Sequence, residues 1–164
     1  MSQLDYNVEM RASLNGLEAD SAGAYKKKDT YIASEEIPFG AGVVLDVSGQ
    51  GLCMLPDADD NQFLGVALLD PTEPEGSASV DSAYPVEAAV CVMKQGDVWV
   101  RVEDTVTPGD PVFVRFTAGA GGTVLGRFRA DADTASAFEV TNARWKTTAD
   151  GSTTLYAKLE LNIP

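Results

Sequence analysis

The sequence predicts an all-β fold: a small barrel or sandwich of short antiparallel strands, with long loops and an extended amino-terminal arm. Three observations carry that expectation. Apolar and polar side chains alternate at period two through most of residues 31–164, the signature of half-buried strands. Strand-length apolar runs recur at short intervals, separated by Gly, Pro, Asp and Ser, as in sandwiches and barrels. No segment holds a helical period of useful length. At 164 residues the chain is about one domain long and can bury a core without disulfides or metals.

Taken in order, residues 1–30 read as the arm and residues 31–164 as the core domain. The arm mixes Gly, Ser, Ala and charge without sustained period, and only the stretch around Val8 and Met10 suggests a short strand. The core then runs through "GVVLDV" (42–47), "GLCML" (51–55), "FLGVALL" (63–69), "VEAAVCVM" (86–93), "DVWVRV" (97–102) and "PVFVRF" (111–116). In the fifth run Val98, Val100 and Val102 share one face, with Trp99 opposite. In the sixth Val112, Val114 and Phe116 share a face, with Phe113 and Arg115 opposite. Trp99 or Phe113 is expected in a packed layer all the same, because a central strand can be covered on both sides. "GTVLGRFRA" (122–130) and "AFEVTNARWK" (137–146) follow. The last run is the clearest: Leu155, Ala157, Leu159, Leu161 and Ile163 alternate with Tyr156, Lys158, Glu160 and Asn162. Asp150-Gly151 supplies a turn to fold it back on residues 138–147. A bulge near Thr141-Asn142 would bring both Phe138/Val140 and Ala143/Trp145 to the core.

One internal echo links the halves. "EEIPFGAGVVL" (35–45) and "DTVTPGDPVFV" (104–114) share a skeleton in which Gly40 matches Gly109 and Val43 matches Val112. Downstream, Gly65 and Gly126 occupy matching mid-strand places. The pattern reads as one repeated unit: a turn glycine, a strand, an excursion, and a strand kinked at glycine.

Charge and residue content narrow the function. Twelve Lys and Arg against 25 Asp and Glu leave a formal charge of −13, which argues against nucleic acid as a partner, since phosphate neutralisation needs clustered cations. The one basic run, Lys26-Lys27-Lys28, reads either as a solvated loop or as a contact to an acidic partner surface. No apolar run reaches the roughly 18 residues of a membrane span. The first residues lack the pattern of a secretion signal, so the expectation is a soluble chain made in the cytoplasm, with no membrane partner. Histidine is absent, which removes Ser-His and Cys-His nucleophile pairs and the usual zinc ligand. Cys53 and Cys91 sit in apolar strand-like surroundings and read as buried free thiols.

No stretch assembles catalytic chemistry. "PDADDNQ" (56–62) and "RADADTAS" (129–136) cluster acids, but neither supplies the glycine and distal glutamate of a calcium loop, and Asp favours turns in any case. "TAGAGGT" (117–123) is glycine-rich without a phosphate-binding pattern. The segment 71–85 is a Pro-, Ser- and acid-containing excursion suited to an exposed contact. From the residues alone the chain is a non-enzymatic structural or binding module with no cofactor and no metal.

The motifs together resemble the structural cement, or head decoration, proteins of tailed bacteriophages. The resemblance rests on "IPFGAGVVLD" (37–46), "FLGVALLD" (63–70), "GDVWVRVEDTVTPGDPVFVRF" (96–116) and "GGTVLGRFRADAD" (121–133), in that order and spacing. It covers roughly residues 30–133, extends from there to the carboxy terminus, and does not include the arm. The resemblance implies a virion protein on the outer capsid surface, commonly a homotrimer, bridging neighbouring major capsid subunits after the shell expands. Val8, Met10, Lys26, Lys27, Lys28 and Tyr84 are the expected contact residues. Gly40, Gly65, Gly109, Trp99 and Phe113 are expected to shape turns and core. The alternative is a ligand- or carbohydrate-binding β-module, or a tail or neck component, with Tyr6, Tyr25, Tyr31 and Tyr84 lining its binding face.

Overall fold

The structure is a computed structural model, and it describes residues 15–19, 26–59, 62–70, 83–119 and 124–164. It is all-β, with no helix among the described residues. The strands are β1 (Lys27–Ala33), β2 (Ile37–Pro38), β3 (Gly42–Asp46), β4 (Leu52–Met54), β5 (Phe63–Ala67) and β6 (Ala83–Tyr84). They continue as β7 (Ala89–Arg101), β8 (Phe113–Arg115), β9 (Phe128–Arg129), β10 (Ala137–Glu139), β11 (Ala143–Trp145) and β12 (Tyr156–Asn162).

One sheet contains β1-β4-β3-β5-β7-β12-β11, and β1 also pairs with β7. The ring β1-β4-β3-β5-β7 is therefore closed, a five-stranded barrel without an open edge. Its interior holds Ile37, Val43, Cys53, Leu64, Tyr84, Val90 and Val92. β10-β8-β9 form a second sheet. A separate core of Val98, Val100, Val114, Phe128, Trp145, Leu159 and Leu161 lies between it and the outer half of β7 with β12. Barrel and sandwich, offered by the sequence as alternatives, are both present.

β7 belongs to both. The sequence reads 86–93 and 97–102 as two strands, yet residues 89–101 form one. Its first half pairs with β1 (Tyr31↔Val90) and its second with β12 (Leu159↔Val98). Gly96, with φ 128°, lets the strand turn from barrel to sandwich without breaking its ladder. The sequence shows only a lone Gly after Lys94-Gln95, which reads as a turn.

The carboxy-terminal hairpin forms in the expected phase. β11 pairs with β12 (Trp145↔Leu159), and Ala157, Leu159, Leu161 and Ile163 are buried. Asp150 closes the turn by accepting the backbone N–H groups of Ser152, Thr153 and Thr154. The expected bulge at Thr141-Asn142 is corrected. The chain instead changes sheets there, β10 pairing with β8 and β11 with β12. Val140 and Trp145 reach the same core from opposite sheets.

The boundary expected at residue 30 falls inside β1. That strand escapes notice because Lys28 and Thr30 face solvent and Lys27, Asp29 and Tyr31 are half-buried, so no apolar alternation announces it. Cys53 is buried and Cys91 half-buried, both as free thiols; burial pushes the Cys53 thiol up to about 11.

The four glycines of the internal echo all take positive φ: Gly40 73°, Gly65 152°, Gly109 107° and Gly126 76°. The halves abut where Gly42 N–H donates to the Gly126 carbonyl at 2.8 Å. The constraint is severe at Gly65, where a Cβ would overlap the Met93 carbonyl oxygen. A Cβ at Gly109 would meet nothing within 4 Å. Gly65→Ala should therefore cost about 3 kcal/mol or more, through clash added to backbone strain, whereas Gly109→Ala carries strain alone, about 1–2 kcal/mol. Urea midpoints of the two variants check this, and equal losses would contradict it.

Candidate functional site

Among the described residues no group of three His, Cys, Asp or Glu is placed to hold a metal ion. Three arrangements remain that bear on function.

The first is a clasp made by residues 15–19. Gly16 N–H donates to the Trp99 carbonyl and Trp99 N–H to the Leu17 carbonyl, both at 2.8 Å, and Ala19 N–H donates to the Asp97 carbonyl at 2.9 Å. The segment thereby extends the sheet along the outer half of β7, opposite β12. The Asn15 amide donates to the Phe39 carbonyl at 2.5 Å, and its Oδ1 accepts Arg101 N–H at 2.9 Å. Gly40 is required where that side chain crosses, because a Cβ would overlap Asn15 Oδ1. The clasp thus ties the β2–β3 turn to β7. Glu18 is gripped by Lys26 at 2.6 Å and by Lys28, and these two bonds hold its carboxyl below the ordinary range. Lys26 and Lys28 are therefore held by Glu18 at the surface; the solvated-loop reading of 26–28 is corrected to the entry of β1. Lys27 makes no ion pair among the described residues. Val8 and Met10 lie outside the described residues.

The second is a buried ionic cluster that the sequence reading missed. Register places Phe113 beside Arg129, and Arg115 follows two residues later, so the three share the face of the second sheet that points away from the core. That face is covered nonetheless. Arg115, 2% exposed, binds Glu103 at 2.7 Å and Asp133 at 2.6 Å. Arg129 binds Asp131 at 2.7 Å and Asp133 at 3.2 Å and approaches Glu103 at 3.4 Å. The acid cluster of 129–136 thus neutralises two buried arginines. Asp133, Thr134 and Ala135 all have positive φ, a run that costs free energy for residues with a Cβ, and the arginines hold the loop in it. Burial opposes the Arg115 charge, and the bonds from Asp133 and Glu103 more than offset it. Asp133, bonded by Arg115, and Asp131, bonded first by the Asp133 N–H and then by Arg129, lie below the ordinary carboxylate range. Burial raises Asp104 despite its bond from Ala130. Phe113 two residues from Arg115, on one face of a strand, was the available signal, since a solvent face has no need of an aromatic residue.

The third is a set of exposed apolar side chains. Among the described residues the large ones are Ile32, Val47 and Val86, at 40%, 90% and 58% exposure. The expected aromatic contacts are not among them. Tyr84 is corrected: it is fully buried, stacked edge-on to Phe39 at 4.9 Å, with its hydroxyl donating to the Leu68 carbonyl at 2.8 Å. Tyr31 is half-buried, and Tyr6 and Tyr25 lie outside the described residues, so no aromatic binding face assembles from the described tyrosines. Trp99 and Phe113 are half-buried; Lys158 Nζ sits 5.7 Å from the Trp99 ring centre, a cation–π contact.

Comparison with known proteins adds the following. The family described as "Structural cement protein (E217 gp24/Pam3 gp6)" matches residues 2–162. A chain of the capsid of Myoviridae phage XM1 shares the fold with a TM-score of 0.72, at 16% identity over 99% of this chain and 98% of that one. No curated protein matches by sequence.

Glu103 faces both arginines at 7% exposure, and removing it strands buried positive charge. Glu103→Ala should cost about 3–5 kcal/mol. For Asp131 and Asp133 the folded pKa lies below the unfolded value, so their contribution is complete above about pH 4 and is lost as pH falls through the folded values. Asp104 opposes this weakly, taking up its proton earlier. Melting temperature followed from pH 7 to 2 should fall steeply only below about pH 4 in the wild type. In Asp133→Asn it should start lower and fall less; an acid limb unchanged in that variant would contradict the assignment.

Proposed function

Because this chain belongs to the structural cement protein family, and so has a structural role in a phage capsid, we propose that it binds the outside of the expanded head. There it joins neighbouring major capsid subunits, as a homotrimer. The observation that carries the reading is the family match across residues 2–162. The construction of the molecule supports it. A closed barrel welded to a sandwich by one continuous strand resists deformation, and the ionisable groups of its largest buried cluster bond to each other rather than to an open cleft.

The amino-terminal segment is the proposed second attachment. Residues 1–14, with Val8 and Met10, add a strand to a sheet edge of a capsid subunit or a neighbouring copy. Fourteen extended residues reach at most about 50 Å. The clasp at 15–19 fixes where that reach begins. Lys27 contributes at the same end, whereas Lys26 and Lys28 serve the clasp. In a trimer three such segments act together, raising avidity by about 10² to 10⁴ without a strong single contact.

The test separates anchoring from folding. Deleting residues 2–14 should leave the melting temperature within about 2 °C of wild type and abolish co-sedimentation with expanded heads stripped of the native protein. Deleting residues 2–28 removes the clasp and the start of β1 as well, and should lower the melting temperature. Full retention of the 2–14 deletion on heads would refute the anchor. Wild-type protein that fails to co-sediment at all would refute the cement reading.

A further inference from the structure

One buried acid is left without a cation. Asp97 is 4% exposed, and among the described residues no hydrogen bond or ion pair is made to its carboxylate. Its setting explains the burial. The Asp97 carbonyl accepts Ala19 N–H at 2.9 Å, so the clasp covers one side, and register sets Glu160 of β12 on the other. Because the backbone groups of Asp97 turn toward the clasp, Asp97 and Glu160 form a non-hydrogen-bonded pair, with Cα atoms about 4.5 Å apart and side chains at their closest. Like charges opposed in this way are destabilising. Only one of the two is neutralised: Arg144, next in the row on β11, and Lys146 both bond to Glu160. Arg144 feels the Asp97 charge without bonding to it. Lys158, in the neighbouring outward pair, lies over Trp99 instead.

The same face is hollowed. A groove of about 660 Å³ runs along it, and Gln95, Asp97, Asn142, Arg144, Glu160 and Asn162 are among its lining residues. Gln95 pairs with Asn162, whose N–H donates to the Asn142 carbonyl at 2.8 Å, so three amides stand beside the row of Asp97, Glu160 and Arg144. The Gln95 amide nitrogen donates to the Ile163 carbonyl at 3.3 Å, which leaves its oxygen to accept. The Asp97 carboxylate has lost its hydration on folding, so a cation entering the groove gains the attraction while only its own hydration is removed. A guanidinium suits the groove best. Its planar donors can reach a carboxylate and amide oxygens together, and it is weakly hydrated. A divalent ion suits it less, since it needs about six oxygens and Arg144 stands in the same row.

We infer that this groove receives an arginine side chain of a partner protein, with Asp97 as the carboxylate that binds it; the inference rests on the cement reading, in which that partner is a major capsid subunit. The site lies on the sheet face between the clasp and β11, separate from the anchor proposed for residues 1–14.

Asp97→Asn keeps the shape of the side chain and removes its charge. Because that charge is uncompensated, the variant should melt at or above the wild-type temperature, whereas loss of a carboxylate that serves the fold would lower it. With expanded heads stripped of the native protein as the probe, the variant should bind about tenfold or more weakly than wild type. Glu36→Gln removes one exposed charge elsewhere and should bind as wild type does. Argininamide is the second probe. Titrated into the wild-type protein it should saturably shift the backbone amide resonances of 95–97 and 160–162, and in Asp97→Asn it should not. Wild-type head binding by Asp97→Asn, a lowered melting temperature of that variant, or no saturable shift with argininamide would each overturn the inference. Stronger shifts of the same resonances with calcium chloride would overturn it in favour of a metal ion, and loss of self-association in Asp97→Asn in favour of a second copy. Wild-type protein that shows the argininamide shifts but does not bind heads refutes the cement reading and not the chemistry of the groove, so the two failures are distinct.

Discussion

The fold depends on keeping β7 hydrogen-bonded on both edges along its whole length. Over its first half the two edges are covered by β1 and β5, and over its second by β12 and the clasp. A buried strand cannot leave backbone groups unpaired without losing the free energy of those bonds, so each half needs two neighbours. This requirement explains elements that look dispensable in the sequence. β1 must close the barrel although it is largely polar, and residues 15–19 must lie on β7 although they sit in a glycine- and alanine-rich segment. Gly96 makes the arrangement possible, because one strand can then serve two cores without an exposed break.

The distribution of cations follows a similar economy. In a chain of net charge −13, many of the positive side chains are engaged by groups of the chain itself. Lys26 and Lys28 hold Glu18, Arg115 and Arg129 hold the 131–133 loop, Arg144 and Lys146 hold Glu160, and Lys158 lies over Trp99. What faces outward is dominated by carboxylate. Such a surface favours partners that supply the missing positive charge. The buried cluster is a different matter from the surface pairs. Exposed pairs such as Arg144–Glu160 contribute little to stability, whereas Arg115 and Arg129 fix a loop in a backbone conformation that its own residues disfavour.

How much of this was legible follows from what periodicity can report. Valines 98, 100 and 102 and the alternation of 155–163 are buried as the pattern says, since one face of each strand meets apolar core and the other meets water. Arg115 defeats the same rule because its face is covered by ions rather than by apolar side chains. Tyr84 was assigned to a surface from its setting among Pro, Ser and acid, yet its ring fills the barrel and its hydroxyl finds a carbonyl. The change of sheet at Thr141-Asn142 alters the phase of alternation as a bulge would, and phase alone cannot tell the two apart. The clasp carries no periodic signal because its bonds are made by backbone.

A protein with this construction has its mechanics and its contacts in different places. Stiffness resides in the closed ring and the two-core strand, neither of which has an edge to offer a partner. Contacts must then come from what projects beyond the ring: turn tips and the segment ahead of the clasp. On the proposed reading this division suits a staple. Strain between two capsid subunits passes from one contact to the other through β1 and β7, which run the length of the barrel and are paired along it, so load is carried as shear across several hydrogen bonds at once. Each contact alone need only be modest, because the rigid body between them keeps the second at high effective concentration once the first is made. A flexible linker of equal length would lose most of that advantage. The rigidity of the frame then follows from one requirement, that the molecule hold its contacts at a constant separation.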